Sequence, residues 1–163
     1  MGVLDKLSKD GIVFDSKPDA IPYQYRISYR ISLICLIIHL CCGRKGCSLI
    51  KMHTISSAVL NKKYYDVLNK YLLSNNSEII IVRFDSALNR AINYAVYDEI
   101  IIQQGNGTYR LTNKGKELAK FIINQKDIFV NEIDILNNIG LKLTNEKLDD
   151  LKERWSYENV KDK

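Results

Sequence analysis

The chain has 163 residues, of which 46% are hydrophobic and 26% charged, and its formal net charge is +5. This apolar fraction excludes an intrinsically disordered protein, and the presence of only two prolines and eight glycines argues against a proline-rich linker. The mild positive charge permits nucleic-acid binding without establishing it, because a basic soluble enzyme has the same balance. The length predicts one domain, or one domain with an added helical piece.

Residues 1–22 are predicted to form an N-terminal arm, because Gly11, Pro18 and Pro22 interrupt any regular element there. Charged residues precede the first apolar run, which argues against a secretory signal. The most apolar segment, residues 31–42, is too short to span a bilayer and is typical of a buried helix. We therefore expect a cytoplasmic protein that does not enter a membrane.

Three helices are predicted in the next part of the chain. The first ends near residue 42 and is apolar around most of its circumference, so it should be packed centrally. The second, residues 49–60, has Ser48 as its predicted N-cap, and the third covers residues 63–73. Residues 79–82 form a short apolar run, which is typical of a buried strand that completes a small sheet.

The strongest pattern in the chain lies between residues 85 and 123. Asp85 is the predicted cap of an amphipathic helix, and Thr112 is the predicted cap of a second helix. Between them, the Gly105-Asn106-Gly107 turn joins two short strands, as in a β-hairpin. An amphipathic helix, a two-stranded wing and a returning helix occur in this order in a winged helix.

We therefore predict a mainly α fold with a small β wing. A winged helix-turn-helix domain should cover residues 23–125, and a C-terminal helical extension should cover residues 126–156, followed by a polar tail at 157–163. Gly140 is expected to end one helix of the extension, and Thr144 to cap the next. Three apolar residues repeat at helical spacing on this last helix: Leu148, Leu151 and Trp155.

Cysteine and histidine are concentrated in one part of the chain and raise the question of a metal site. The residues are Cys35, His39, Cys41, Cys42, Cys47 and His53. A structural zinc site usually takes two thiolates from one C-x2-4-C turn, whereas Cys41 and Cys42 are adjacent and diverge by roughly 100° on a helix. We expect no metal, with His39 hydrogen-bonded in the core and with Lys51 and His53 pointing away from it. A metal-sensing protein remains the weakest alternative.

Catalytic motifs are not evident. Neither glycine-lysine stretch has the spacing of a phosphate-binding loop, and the sequence lacks H-E-x-x-H and G-x-S-x-G. The acidic residues follow the pattern of solvated helix faces. We therefore predict a protein that is not an enzyme and that needs no cofactor.

Nucleic-acid binding is the next candidate function. The polar face of the helix after Asp85 carries Asn89, Arg90 and Asn93, and such side chains can contact base edges. A single arginine is sparse for a groove-reading helix, since phosphate contacts normally dominate affinity. The residues predicted to contact nucleic acid, mostly through phosphate, are Arg83, Arg90, Arg110, Lys114 and Lys116.

Several segments together carry a resemblance to a known family. They are the Ser48–His53 stretch SLIKMH after a very apolar helix, FDSALNRA from Phe84, GTYRLTNKG from Gly107, and the closing helix that ends near Trp155. In these features the chain resembles the small middle component of bacterial three-component ABC ATPase systems, a group with members in Lamassu-type anti-phage defence. The resemblance covers residues 25–155.

The resemblance implies a winged-helix accessory subunit without a catalytic site. Its partners would be a large SMC- or Rad50-like ATPase, in many systems a nuclease effector, and double-stranded DNA held by the complex. The alternative from another class is a dimeric transcriptional regulator, in which Leu148, Leu151 and Trp155 would pair two chains. Two groove-reading helices would then lie one DNA turn apart.

Overall fold

The structure is a computed structural model, and it describes the backbone of residues 21–74 and 83–161 and the side chains as far as residue 153. Most of the predicted N-terminal arm and the predicted strand at 79–82 lie outside the described residues. The same holds for the Trp155 side chain.

In these ranges the chain is mainly helical and has one small antiparallel sheet, as the sequence predicts. The elements in chain order are α1 (Ile27–Cys41), α2 (Leu49–Leu60), α3 (Lys62–Ser74), α4 (Ser86–Tyr97), β1 (Ile101–Gln103), β2 (Tyr109–Leu111), α5 (Asn113–Gln125), α6 (Val130–Ile139) and α7 (Asn145–Lys161). Short 3₁₀ turns occur at Tyr23–Tyr25 and Gly140–Lys142.

Helix α1 is the centre of the molecule. It packs against α2, α4, α5, α6 and β2, and five consecutive residues, 33–37, have no solvent exposure. A helix that is apolar on all sides can be stable in water only when other elements cover it. Each of its large aliphatic side chains gains roughly 1.5–3 kcal/mol from burial.

A residue of the loop after α1 pairs with the two-stranded sheet in the position of a third strand. Strands β1 and β2 pair antiparallel, with Ile102 opposite Arg110. Cys47 pairs with Tyr109 on the other edge of β2, and the two residues exchange backbone hydrogen bonds of 2.8 Å each. The order across the sheet is therefore Cys47, β2, β1, so the residue before the N-cap of α2 is fixed to the hairpin.

The join between the hairpin and α5 depends on a glycine. A Cβ atom at Gly115 would collide with the backbone oxygen of Ile100. The Gly115 N–H donates to the Thr112 hydroxyl oxygen at 3.2 Å, and that hydroxyl donates in turn to the Glu99 carbonyl at 2.7 Å. The first turn of α5 therefore lies directly against the backbone that leads into β1.

The C-terminal helices share the core of the preceding elements. Leu136, Ile139, Leu148 and Leu151 are buried in the same cluster as the residues of α1. The Tyr71 hydroxyl connects α3 to α7, because it lies 2.8 Å from the Asp150 carboxylate and 3.1 Å from the Lys147 carbonyl. Residues 126–151 consequently pack as part of the same body as α1–α5.

Candidate nucleic-acid and protein interface

A buried polar network fixes the start of α4. The Arg30 guanidinium is 2% exposed, and its Nη1 lies 2.7 Å from Oδ2 of Asp85. Oδ1 of Asp85 accepts a hydrogen bond from the Ala87 N–H at 2.8 Å, which caps the helix as predicted. A buried charge is tolerated only when it is paired and hydrogen-bonded. The sequence periodicity gave no sign of this pairing.

His53 belongs to the same network and is completely buried, contrary to the expectation that it points away from the core. Its Nδ1 accepts from the Asp85 N–H at 3.1 Å, so its Nε2 donates to Oδ1 of Asn89 at 2.8 Å. Burial lowers the pKa of His53, which keeps the ring in the neutral form that this arrangement requires. Asn89 is therefore bound to the core and is not a free reader of base edges.

The outer face of α4 carries four residues at helical spacing: Arg90, Asn93, Tyr94 and Tyr97. They line one shallow depression. Tyr97 is 85% exposed and Tyr94 is 48% exposed. We call these four residues the α4 face. Two exposed tyrosines beside one arginine and one asparagine form a polar and aromatic surface that has a single positive charge.

A second opening, of about 460 Å³, lies between the end of α1, the outer side of the hairpin and α5. Arg110 and Lys116, two of the predicted phosphate-binding residues, both line it, and Lys120 is on the next turn of α5. The other side chains that line this basic cavity are Ile38, His39, Cys42, Ile102 and Leu111. Within the part of the chain that the structure describes, no acidic residue lines it.

His39 is exposed and lines the basic cavity, so the expectation that it is a core residue is wrong. It lies near the end of α1, on the side that borders the cavity. Lys120 was missed by the sequence analysis. Its position four residues after Lys116 places it on the same face of α5, and this spacing could have identified it.

The three other predicted nucleic-acid-binding residues lie elsewhere. Arg90 is on the α4 face. The Lys114 ammonium donates to the Asp98 carbonyl at 2.9 Å, so its charge is at the C-terminal end of α4, where the helix dipole favours it. Arg83 lines a separate groove together with Lys63 and Phe84. The structure thus brings together Arg110 and Lys116 and separates the rest.

Comparison of the chain with protein-family models, with curated proteins and with solved structures gives no match. None of the helices in the described ranges combines the length and apolar composition that crossing a bilayer requires. Among the described residues, no group of three or more His, Cys, Asp or Glu side chains is placed to hold a metal ion.

Proposed function

We propose that this protein is a non-catalytic winged-helix subunit that docks onto an SMC- or Rad50-like ATPase in an anti-phage defence complex and contacts the DNA that the complex holds. The order of elements supports a winged helix. The central helix α1 is followed by the bridge residue Cys47 and then by helices α2 and α3. The amphipathic helix α4 comes next, immediately before the hairpin. In a DNA-binding helix-turn-helix protein the second helix of the motif is the one that enters the major groove.

The α4 face is the observation that carries the docking role. Tyrosine and arginine are enriched at the centres of protein interfaces, where they supply apolar area and a hydrogen-bonding group together. A helix that binds the major groove needs several cations for phosphate, whereas the α4 face has only Arg90. Asn89, the neighbouring candidate reader, is held by His53. These features favour a protein partner for α4.

DNA contact is better supported at the basic cavity. Arg110, Lys116 and Lys120 converge there from the hairpin and α5. Clustered cations without neighbouring carboxylates attract the phosphate backbone and provide affinity without sequence preference. A subunit in a larger complex needs only this modest contribution, because the ATPase would supply the remaining contacts.

The dimeric regulator is the second candidate and receives less support. It requires Leu148 and Leu151 to pair two chains, yet each is 3% exposed and lies in the core of its own chain. Pairing through these two residues would require α7 to leave that core. No observation on the described residues favours this alternative over the docking subunit.

Co-expression with an SMC-like ATPase tests the docking role. We expect the two proteins to co-purify, and we expect the Tyr94→Ala/Tyr97→Ala double variant to weaken the association at least tenfold, as for hot-spot aromatic residues. Phe121→Ala is the matched control, because Phe121 is an exposed aromatic residue on α5 that lies outside the α4 face. Absence of association for the unmodified chain would rule out the proposal.

A salt series tests the DNA contact separately. Replacing Arg110 and Lys120 by alanine should lower DNA affinity of the complex for all sequences alike and reduce the salt slope by about one per lost phosphate contact. Lys142→Ala removes an exposed cation of the C-terminal region and should leave the slope unchanged. An unchanged slope in the double variant would show that the basic cavity does not contact phosphate.

A further inference from the structure

The described cysteines have very different surroundings, and two of them are inert by burial. Cys35 and Cys41 lie in α1 with no solvent exposure. Burial raises the pKa of each thiol to about 12. The Cys41 thiol also donates to the Leu136 carbonyl at 3.3 Å. Both thiols are therefore protonated and unreactive near neutral pH.

Cys42 and Cys47 are brought together by a tight turn. Cys42 ends α1 in an extended conformation, and Cys47 is the bridge residue paired with Tyr109. Between them, the Gly46 N–H donates to the Gly43 carbonyl at 3.1 Å, which closes the turn. The positive φ of Gly46, +82°, and its close packing against Thr108 hold the turn in this form. Cys42 and Cys47 are the residues on either side of this closed turn.

The two thiols differ in access and in charge. Cys47 is fully buried, whereas Cys42 is half-buried and lines the basic cavity with Lys116 and Lys120. The Cys47 thiol donates to the Ser48 carbonyl at 3.6 Å. The interaction between the two neighbouring thiols lowers the pKa of Cys42 and raises the pKa of Cys47. Lys51, which is only 7% exposed, adds a positive charge that lowers the pKa of Cys42 further.

We propose that Cys42 is an oxidant-reactive cysteine and that Cys47 is its resolving partner, so that hydroperoxides convert the pair into a disulfide. Reactive cysteines are accessible thiolates in electropositive surroundings, and redox-sensing ones have a second cysteine beside them. Cys42 meets the first requirement, because it lines the basic cavity, whereas Cys35 and Cys41 are buried. Cys47, across the turn, is the second cysteine. This inference does not depend on the ATPase partner.

The reaction has two steps. The Cys42 thiolate attacks the terminal oxygen of the hydroperoxide, the O–O bond breaks, and the alkoxide takes a proton from solvent to leave as an alcohol. Cys42 is then a sulfenic acid, oxidised by two electrons. The Cys47 sulfur attacks the Cys42 sulfur, the S–O bond breaks, and the departing hydroxide takes the Cys47 proton to leave as water. The product is a Cys42–Cys47 disulfide.

Alkylation of the unmodified protein at pH 7, followed by tryptic digestion and tandem mass spectrometry, tests the first part. Fragment ions are needed because Cys35, Cys41 and Cys42 lie on the same tryptic peptide. We expect iodoacetamide to label Cys42 at least 100-fold faster than Cys35 or Cys41, because the thiolate fractions differ by orders of magnitude. Labelling of Cys42 at the rate of Cys41 would overturn the proposal. This measurement needs no substitution, so misfolding cannot obscure it.

Hydrogen peroxide treatment tests the second part. The unmodified protein should lose two hydrogens in mass, and a disulfide should link the peptides of Cys42 and Cys47, which trypsin separates after Arg44 and Lys45. In Cys47→Ser the Cys42 sulfenic acid should persist and react with dimedone, and Cys42→Ser should show neither product. Cys41→Ser is the control and should still form the disulfide. Failure to form the linked peptide would overturn the role of Cys47.

An anionic probe tests the contribution of the basic cavity. Arg110, Lys116 and Lys120 line the same cavity as Cys42. We therefore expect the ratio of the iodoacetate rate to the iodoacetamide rate to be higher at Cys42 than for free cysteine in solution. In Lys120→Ala we expect this rate ratio to fall about threefold. If Cys42 in the unmodified protein gave the same rate ratio as free cysteine in solution, the cavity would not act on the thiolate.

Discussion

The Arg30 guanidinium and the Asp85 carboxylate are 2.7 Å apart, although 55 residues separate them in the chain. Arg30 comes from the central helix, and Asp85 is the residue that caps α4. A single carboxylate thus neutralises a buried cation with one oxygen and satisfies the first turn of α4 with the other. The orientation of the α4 face depends on this pair.

Asp85→Asn should therefore lower the free energy of unfolding by about 3 kcal/mol, because it leaves a buried arginine without its countercharge. Denaturant unfolding followed by circular dichroism measures the change. Asp149→Asn is the matched control, since its pair with Lys152 is exposed at 2.9 Å and should contribute less than about 1 kcal/mol. Equal effects of the two substitutions would contradict the structural role given to Asp85.

His53 predicts a pH dependence of stability. Its folded-state pKa is depressed below the ordinary value of 6.5 by burial, so the unfolded state binds the proton more readily. Its contribution is complete above that value and is lost as the pH falls through 6.5 toward the folded-state pKa. The slope cannot exceed about 1.4 kcal/mol per pH unit for one group.

Denaturant unfolding between pH 7.5 and 5.5 measures that slope. His53→Gln should flatten it, because glutamine does not titrate and can still accept from the Asp85 N–H. His39→Gln is the control, since His39 is the only other histidine in the sequence and is exposed. If the free energy of unfolding of His53→Gln still changed with pH in the same way, other groups would be responsible for the pH dependence.

Gly115→Ala should destabilise the protein by at least about 2 kcal/mol, although alanine favours helices. The added methyl group would overlap the Ile100 backbone oxygen, and backbone cannot move aside as a flexible side chain can. The midpoint of thermal unfolding checks this. At Gly105→Ala, where a Cβ meets nothing within 4 Å, the change should stay within about 0.5 kcal/mol.

Tyr71→Phe should cost about 1–2 kcal/mol, because it removes the hydroxyl that connects α3 with Asp150 and the Lys147 carbonyl on α7. The ring is retained, so apolar burial changes little. Limited proteolysis should then cleave within α7 sooner than in the unmodified chain. Tyr65→Phe, a half-buried tyrosine on the same helix, should leave the cleavage rate unchanged.

The fold was predictable where a local rule determines it. The caps Ser48, Asp85 and Thr112 are confirmed, since a capping side chain needs only the backbone two or three residues later. The hairpin around Gly105–Gly107 is confirmed for the same reason. Helix α1 could be recognised as central because its composition permits no exposed face.

What sequence reasoning missed depends on residues far apart in the chain. Periodicity placed His53 outside the core, because it cannot show that Asn89 and the Asp85 N–H would satisfy both ring nitrogens. The convergence of Arg110 with Lys116 and Lys120, and the position of Lys114 at the end of α4, follow from how α5 returns to the sheet. Charge counting alone treats all these cations alike.

The packing of α1 has a mechanical consequence. One flank of this helix lies against α4, and its residues Ile38 and His39, with Cys42 directly after its end, form a wall of the basic cavity. Because its interior residues are close-packed, the helix deforms little under load. A force applied at the α4 face would therefore be transmitted along α1 as a rigid body to the basic cavity at its other end.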